Sequence, residues 1–273
     1  MEYIDGRSVV TVGIDETASG DAAVSWSLEY ARSHRLPLRL VAAIPAGGRA
    51  DGGRPAELTR ARVDDLALLC RSTAPGTEVT GVVAAEPLGA ALLDAAHDSV
   101  LVVIGDRSGP RHISDRRPAV DAVVAWAECP VVVARSARWP NPATPIVAAL
   151  DGSDHDDPVL DAAFDLAARS ASPLVAVHLQ PDAQARGAAP RVAARLAHRE
   201  RGYVRVPVRF RAAVGPAVPV LLAASQWAGL LVVGAPGTDG VTRELTRAAA
   251  CPVLVARPLG VSADPRWLAA ATP

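Results

Sequence analysis

The chain has 273 residues, of which 50% are hydrophobic and only 4% aromatic, and its formal net charge is −1. That length suffices for two ordinary domains, and the apolar fraction fills a substantial core built mostly from Ala, Val and Leu. A charge this close to zero leaves no electrostatic footprint for nucleic acid or an anionic membrane, so neither is expected as a partner. Cys70, Cys129 and Cys251 are too sparse and too far apart for a disulfide framework or metal-ligand spacing, which fits a reducing compartment. The first residues lack the cationic-then-apolar pattern of a leader, and no apolar run reaches spanning length. These features together predict a soluble, cytoplasmic protein.

In chain order, Val9–Ile14 is a β-branched apolar run that predicts a buried strand. Ala23, Trp26, Ser27, Tyr30 and Ala31 then share one helical face, and Pro37 stops that helix. A strand at Leu38–Ile44, a weaker helix at about Leu58–Ser72 and a strand at Val79–Ala84 follow. Pro87–His97 reads as a helix, Ser99–Gly105 as a buried strand, and a helix near Ala119–Ala127 leads into the strand of Cys129–Arg135. Ser136–Thr144 is a Pro-containing linker. Beyond it the series recurs. A helix carries Leu160, Ala163, Phe164 and Ala167 on one face, and Leu174–Leu179 is a strand. A helix at about Pro190–Arg201 precedes a strand at Val206–Ala212. A helix at Ala217–Trp227, a strand at Leu230–Gly234 and a helix at Thr242–Ala249 lead to a last Cys-Pro-Val strand. Strands alternating with helices predict an α/β protein in which each half is a doubly wound, five-stranded parallel sheet covered on both faces, with its ligand crevice at the strand C-termini.

The recurrence extends to individual residues. One constant offset aligns Asp15 with Asp151, Ala31 with Ala167, Pro37 with Pro173 and Val41 with Val177. A shorter offset aligns Gly105 with Gly234, and a still shorter one aligns CPVVVAR (Cys129–Arg135) with CPVLVAR (Cys251–Arg257). Element order is kept while loops shrink, as expected of a duplicated and fused domain. The expected division is 1–138, 145–258 and a tail, 259–273.

Several residues carry two readings. Asp15 and Asp151 suit a ribose or a metal, and equally suit a strand-end Asp that accepts turn N–H groups. In the acidic run Asp151–Asp157, Ser153 or Asp154 is placed to cap the next helix, and a metal site is the minor alternative. Arg107, Arg111, His112, Arg116 and Arg117 crowd the first glycine loop as anion contacts or as a solvated loop. His178 within an apolar strand reads as a buried, hydrogen-bonded histidine. Cys129 and Cys251 read as small buried residues rather than redox sensors. Neither a G-x-S-x-G elbow nor a P-loop lysine is present.

A strand ending in Asp, an alanine-rich helix, a helix opening Gly-x-Pro-Ala (Gly215–Val218 is Gly-Pro-Ala-Val), a Val-Val-Gly strand end and a final C-P-V-x-V-x-R strand together resemble the universal stress protein domain, and the resemblance covers both halves. It implies a five-stranded parallel α/β fold, a regulatory role in stress response without enzymatic activity, and dimerisation through the last strand. In a tandem chain that dimer becomes an intramolecular pseudo-dimer, with a homodimer as a further state. The resemblance also implies an adenine nucleotide, ATP in many members, as ligand. The acid after strand one is matched by Asp15 and Asp151. The backbone position that holds adenine is matched by Ala43 and Leu179. The phosphate-cradling glycines are matched by Gly105 in the first half and by Gly234, Gly237 and Gly240 in the second. Glycines let backbone approach phosphate, and helix-start N–H groups face its charge. The chain departs from this pattern twice. In the first half Ser108 replaces the second glycine and Pro118, which has no N–H, falls at the later Gly-Ser. In the second half the spacer is shortened, so that Asp239 and Gly240 stand where Gly-Ser would. The alternative expectation is an interaction protein of the same fold that no longer binds nucleotide.

Overall fold

Val9–Ile14 forms β1 and is buried along its full length. Strands covered by helices on both faces are apolar throughout rather than alternating, which is why such runs mark the sheet centre. The structure, a computed structural model, describes residues 8–15, 17–44, 53–106, 117–137, 139–153, 156–180, 189–235 and 240–258. After β1 come α1 (Ala18–His34), β2 (Leu38–Ala43), α2 (Arg54–Thr73), β3 (Val79–Ala84), α3 (Leu88–Ala95), β4 (Ser99–Gly105), α4 (Arg117–Trp126) and β5 (Val131–Ala134). The second half has β6 (Ile146–Leu150), α5 (Asp156–Ser170), β7 (Leu174–Gln180), α6 (Ala189–Glu200), β8 (Val208–Val214), α7 (Ala217–Ser225), β9 (Leu230–Gly234), α8 (Val241–Ala248) and β10 (Val253–Ala256).

These strands form one sheet in the order β3-β2-β1-β4-β5-β10-β9-β6-β7-β8. Pairing within each half is parallel, giving the two five-stranded units expected from the alternation of elements. The units join where β5 meets β10 antiparallel, with Val131 opposite Val255, Val132 opposite Leu254 and Val133 opposite Val253. One expected strand is displaced: Val206–Ala212 was anticipated, and β8 runs from Val208 to Val214. Pro207 has no N–H to give a ladder, and Val206 is held in a turn by Tyr203 O.

α1 and α5 lie on one face of the sheet, and their core runs across both halves from Trp26 to Phe164, each fully buried. α3, α4, α7 and α8 pack on the other face around Val102, Val131, Leu231 and Val253. Linker residue Trp139 packs on Trp26, with ring centroids 5.0 Å apart.

Several contacts tie the halves together besides β5–β10, among them the ion pairs of Asp121 in α4 with Arg243 and Arg247 in α8. Arg135 and Arg257, which occupy equivalent places in the repeat, each reach into the other half. Arg135 donates to Thr246 O at the end of α8, and Arg257 donates to Val124 O and Ala127 O at the end of α4. Guanidinium groups suit these positions because the last carbonyls of a helix lack partners and carry its negative end. Burial pulls the Arg257 pKa down. On the opposite face, buried His34 of α1 places Nε2 2.7 Å from Asp165 Oδ2 of α5. Arg169 bonds the same carboxylate and donates to Ser33 O at 2.8 Å. Burial alone would raise the Asp165 carboxyl, but His34 and Arg169 outweigh it and hold its pKa below the ordinary 3.8.

Asp165→Ala should therefore cost about 2 kcal/mol of unfolding free energy at neutral pH. A carboxyl with a depressed folded pKa contributes stability above its unfolded pKa and loses it as pH falls through the folded value. The difference between wild type and variant in urea titrations should accordingly shrink as pH drops below 3.8.

Candidate functional site

A doubly wound sheet opens its crevice where crossovers leave in opposite directions, at the strand C-termini. Here those points lie between β1 and β4 and between β6 and β9. The expected site residues fall around them. Asp15 follows β1, Ala43 ends β2 and Gly105 ends β4; Asp151 follows β6, Leu179 is next to last in β7 and Gly234 ends β9. Gly240 directly precedes α8 with φ of 74°, a left-handed conformation that favours glycine. Gly237 lies outside the described residues, as do Arg107, Ser108, Arg111, His112, Arg116, Asp154, His155 and Asp239.

The structure brings Asp151, Leu179 and Gly234 to one cleft of about 550 Å³. That is within the range of small-molecule sites. Its walls include Val159, Leu221, Val233 and Leu245. Asp151 and Asp156 stand at one side and the start of α8 at the other. Thr242 in the first turn of α8 donates to Gly234 O at 3.1 Å, tying helix start to strand end. Such a cleft offers apolar walls to a flat ring, carboxylate acceptors to hydroxyls and a positive helix end to an anion.

The two halves differ at this point. In the first, the Asp15 carboxylate takes the Thr17 N–H at 3.0 Å and the Thr17 hydroxyl, and Gly20 N–H donates to Thr17 Oγ1 at 3.1 Å. This turn starts α1 early and lays its backbone on β4. A Cβ at Gly105 would lie 2.7 Å from the Ser19 carbonyl carbon and oxygen and 2.9 Å from Gly20 N. The crevice beside Gly105 is thus filled by α1 itself. In the second half Ser153 N–H donates to Asp151 Oδ1 at 2.8 Å, the same turn, but among the described residues a Cβ at Gly234 would meet only Val159, at 4.0 Å. Asp15 and Asp151 therefore both accept turn N–H groups.

Asp156 marks a second difference between the halves. It occupies the repeat position of Gly20, where a Cβ would sit 2.3 Å from the Asp15 carboxylate. Unable to nest there, Asp156 turns its buried carboxylate back to accept from Asp151 N–H and Gly152 N–H, both at 3.0 Å. Burial pushes its pKa up to about 6, the two N–H bonds pull it down, and the charge of Asp151 raises it. Asp156, Gln180 and Thr242 were not singled out as cleft residues from the sequence. For Asp156 the signal was available in the repeat, as an acid opposite a glycine.

Asp106 is buried and ion-paired with Arg135 at 2.7 Å, so its charge is compensated. His178 is buried with Nδ1 3.3 Å from Leu150 O, while Nε2 has no partner among the described residues. Cys129 and Cys251 are buried, and burial pushes the Cys251 thiol up to about 11, away from thiolate chemistry. Among the described residues no group of three or more His, Cys, Asp or Glu is placed to hold a metal ion. No described helix is long and apolar enough to cross a membrane.

Two measurements check this geometry. Gly105→Ala should destabilise by about 2 kcal/mol or more, because backbone atoms cannot yield, whereas Gly234→Ala should change stability by less than about 1 kcal/mol in the same urea titration. The Asp156 carboxyl should titrate near 6 by ¹³C NMR, and Asp151→Asn, by removing a neighbouring charge, should lower that midpoint.

No protein-family model matches the chain. Individual relatives do. A universal stress protein of Mycobacterium tuberculosis is 33% identical over 239 residues, covering 82% of this chain and 87% of that protein. One from Mycolicibacterium smegmatis is 26% identical over 284 residues, covering 91% and 97%. The crystal structure of a universal stress protein from Archaeoglobus fulgidus superposes with a TM-score of 0.72 at 13% identity, over 93% of this chain and 97% of that one, which shows the common fold. With a relative this similar along most of its length, the chain belongs to the universal stress protein family.

Proposed function

We propose that this protein is a non-catalytic, cytoplasmic stress-response regulator that binds one adenine nucleotide, ATP or a shorter form, in the cleft of its second half. The observation that carries the reading is the cleft of about 550 Å³ beside Gly234, flanked by Asp151 and the start of α8, where the first half has α1 backbone packed against Gly105. Leu179 backbone would meet the adenine, Asp151 the ribose hydroxyls, and Gly234, Gly237 and Gly240 the phosphate end. A regulatory rather than catalytic role is supported by how the polar cleft groups are engaged. The Thr242 hydroxyl is bonded to Gly234 O, and Asp156 is held by two N–H groups. The β5–β10 pairing stands where separate domains of the family would dimerise, and supports reading the chain as a pseudo-dimer.

The filled first crevice also supports a second reading, an interaction protein in which neither half binds nucleotide. Calorimetry with ATP and Mg²⁺, repeated with AMP, separates the two. The expected result is one nucleotide per chain, with Gly234→Val, which puts two methyl groups into the cleft, weakening binding at least about tenfold while leaving the fold intact. Absence of heat from wild type with either nucleotide would leave the interaction protein as the reading.

A further inference from the structure

At the opposite end of the second half, the N-terminal end of its strands, lies a second concavity of about 470 Å³. Pro145, Pro173 and Pro207, which precede β6, β7 and β8, form a shelf there. Trp227 is its wall, with 48% of its surface exposed. α7 packs on β6, β9 and α8, and leaves this side of β7 and β8 to side chains of the sheet itself. Arg209 and Arg211 of β8 are the rim, opposite Val175 and Val177 of β7.

Three features set this surface apart. β8 is the edge of the sheet, and among the described residues one side of its backbone ladder is unpaired. Arg209 and Arg211 stand two apart on this edge strand, both exposed and without an ion-pair partner among the described residues. The first half has neutralised the same place. Thr80 and Val82 stand at the arginine positions, and Asp98 stands at that of Trp227, where it binds Arg39 through two hydrogen bonds of 2.8 and 2.7 Å.

We propose that the β8 edge with Arg209, Arg211 and Trp227 is a docking site for an extended acidic segment of a partner protein, added to the sheet as a further strand. Residues two apart on a strand face one side, roughly 6.6 Å apart, so a partner strand with Asp or Glu at alternate positions presents its carboxylates to both guanidinium groups. Arginine binds carboxylate through a planar fork, and Trp and Arg are both enriched among the few residues that carry most of an interface's binding energy. A second copy of this chain is disfavoured as occupant, because β8 against β8 would set arginines opposite arginines.

The test uses the full chain and a fluorescein-labelled, acetylated heptapeptide alternating Glu with Val, read by anisotropy. Three comparison probes are the same peptide with Lys for Glu, the same peptide N-methylated on alternate amides in either register, and a single-stranded oligothymidylate. The Glu peptide should bind at least about tenfold more tightly than the Lys peptide. Binding should fall at least about tenfold in the Arg209→Glu, Arg211→Glu double variant, which keeps its circular dichroism and melting temperature, and in one N-methylation register. No binding of the Glu peptide, equal binding of the Lys peptide, or full binding by the double variant overturns the proposal. Indifference to N-methylation overturns strand addition, and tighter binding of the oligothymidylate would make the surface a nucleic-acid site instead.

Discussion

The antiparallel pairing of β5 with β10 is the contact on which the rest of the molecule depends. A parallel five-stranded unit ends in a strand with one unpaired edge, and a buried apolar edge needs a partner for its backbone groups. Here each unit supplies the other's partner, and Val131, Val132, Val133, Val253, Leu254 and Val255 are all buried at the seam. The seam sets the two units related by approximate two-fold symmetry. It also puts α1 and α5 on one face, where His34 meets Asp165, and lets Arg135 and Arg257 exchange places to close the helix ends of the opposite half.

That symmetry holds in the strand pairing and fails at individual side chains. Asp106 compensates Arg135, but the repeat position of Asp106 in the second half is Ala235, and among the described residues Arg257 bonds carbonyl oxygens. At the strand C-termini Gly20 lets α1 close on β4, while Asp156 in its place turns its carboxylate back to Asp151 N–H and Gly152 N–H. At the other end, the Arg39–Asp98 pair of the first half becomes the unpaired arginines and exposed Trp227 of the second. At the last of these places the first half satisfies its groups internally and the second leaves them facing solvent. Small changes in polarity at equivalent positions are enough to separate a structural half from one with open surfaces.

Most of the element order was legible because burial is periodic along the chain. β1, β3, β4 and β9 begin and end where the apolar runs do. Where the reading slipped, at β8, a proline had been placed inside a ladder that it cannot join. The site was legible as positions: Asp151, Leu179 and Gly234 do converge at one crevice. Whether that crevice is open was not legible, although the glycine pattern, weakened in both halves, favoured the second, which keeps Gly234, Gly237 and Gly240.

The sequence by itself determined the duplication, the strand and helix order and the family, since these rest on local periodicity and on residues matched within and between chains. Only the tertiary structure decided which crevice is open and how the halves are locked. Those outcomes turn on distances between residues far apart in the chain, Ser19 against Gly105, Arg257 against Val124 and His34 against Asp165. A few ångströms of backbone approach separate a filled crevice from a cleft, and that distance is set by how helix packs on sheet rather than by the identity of either residue alone.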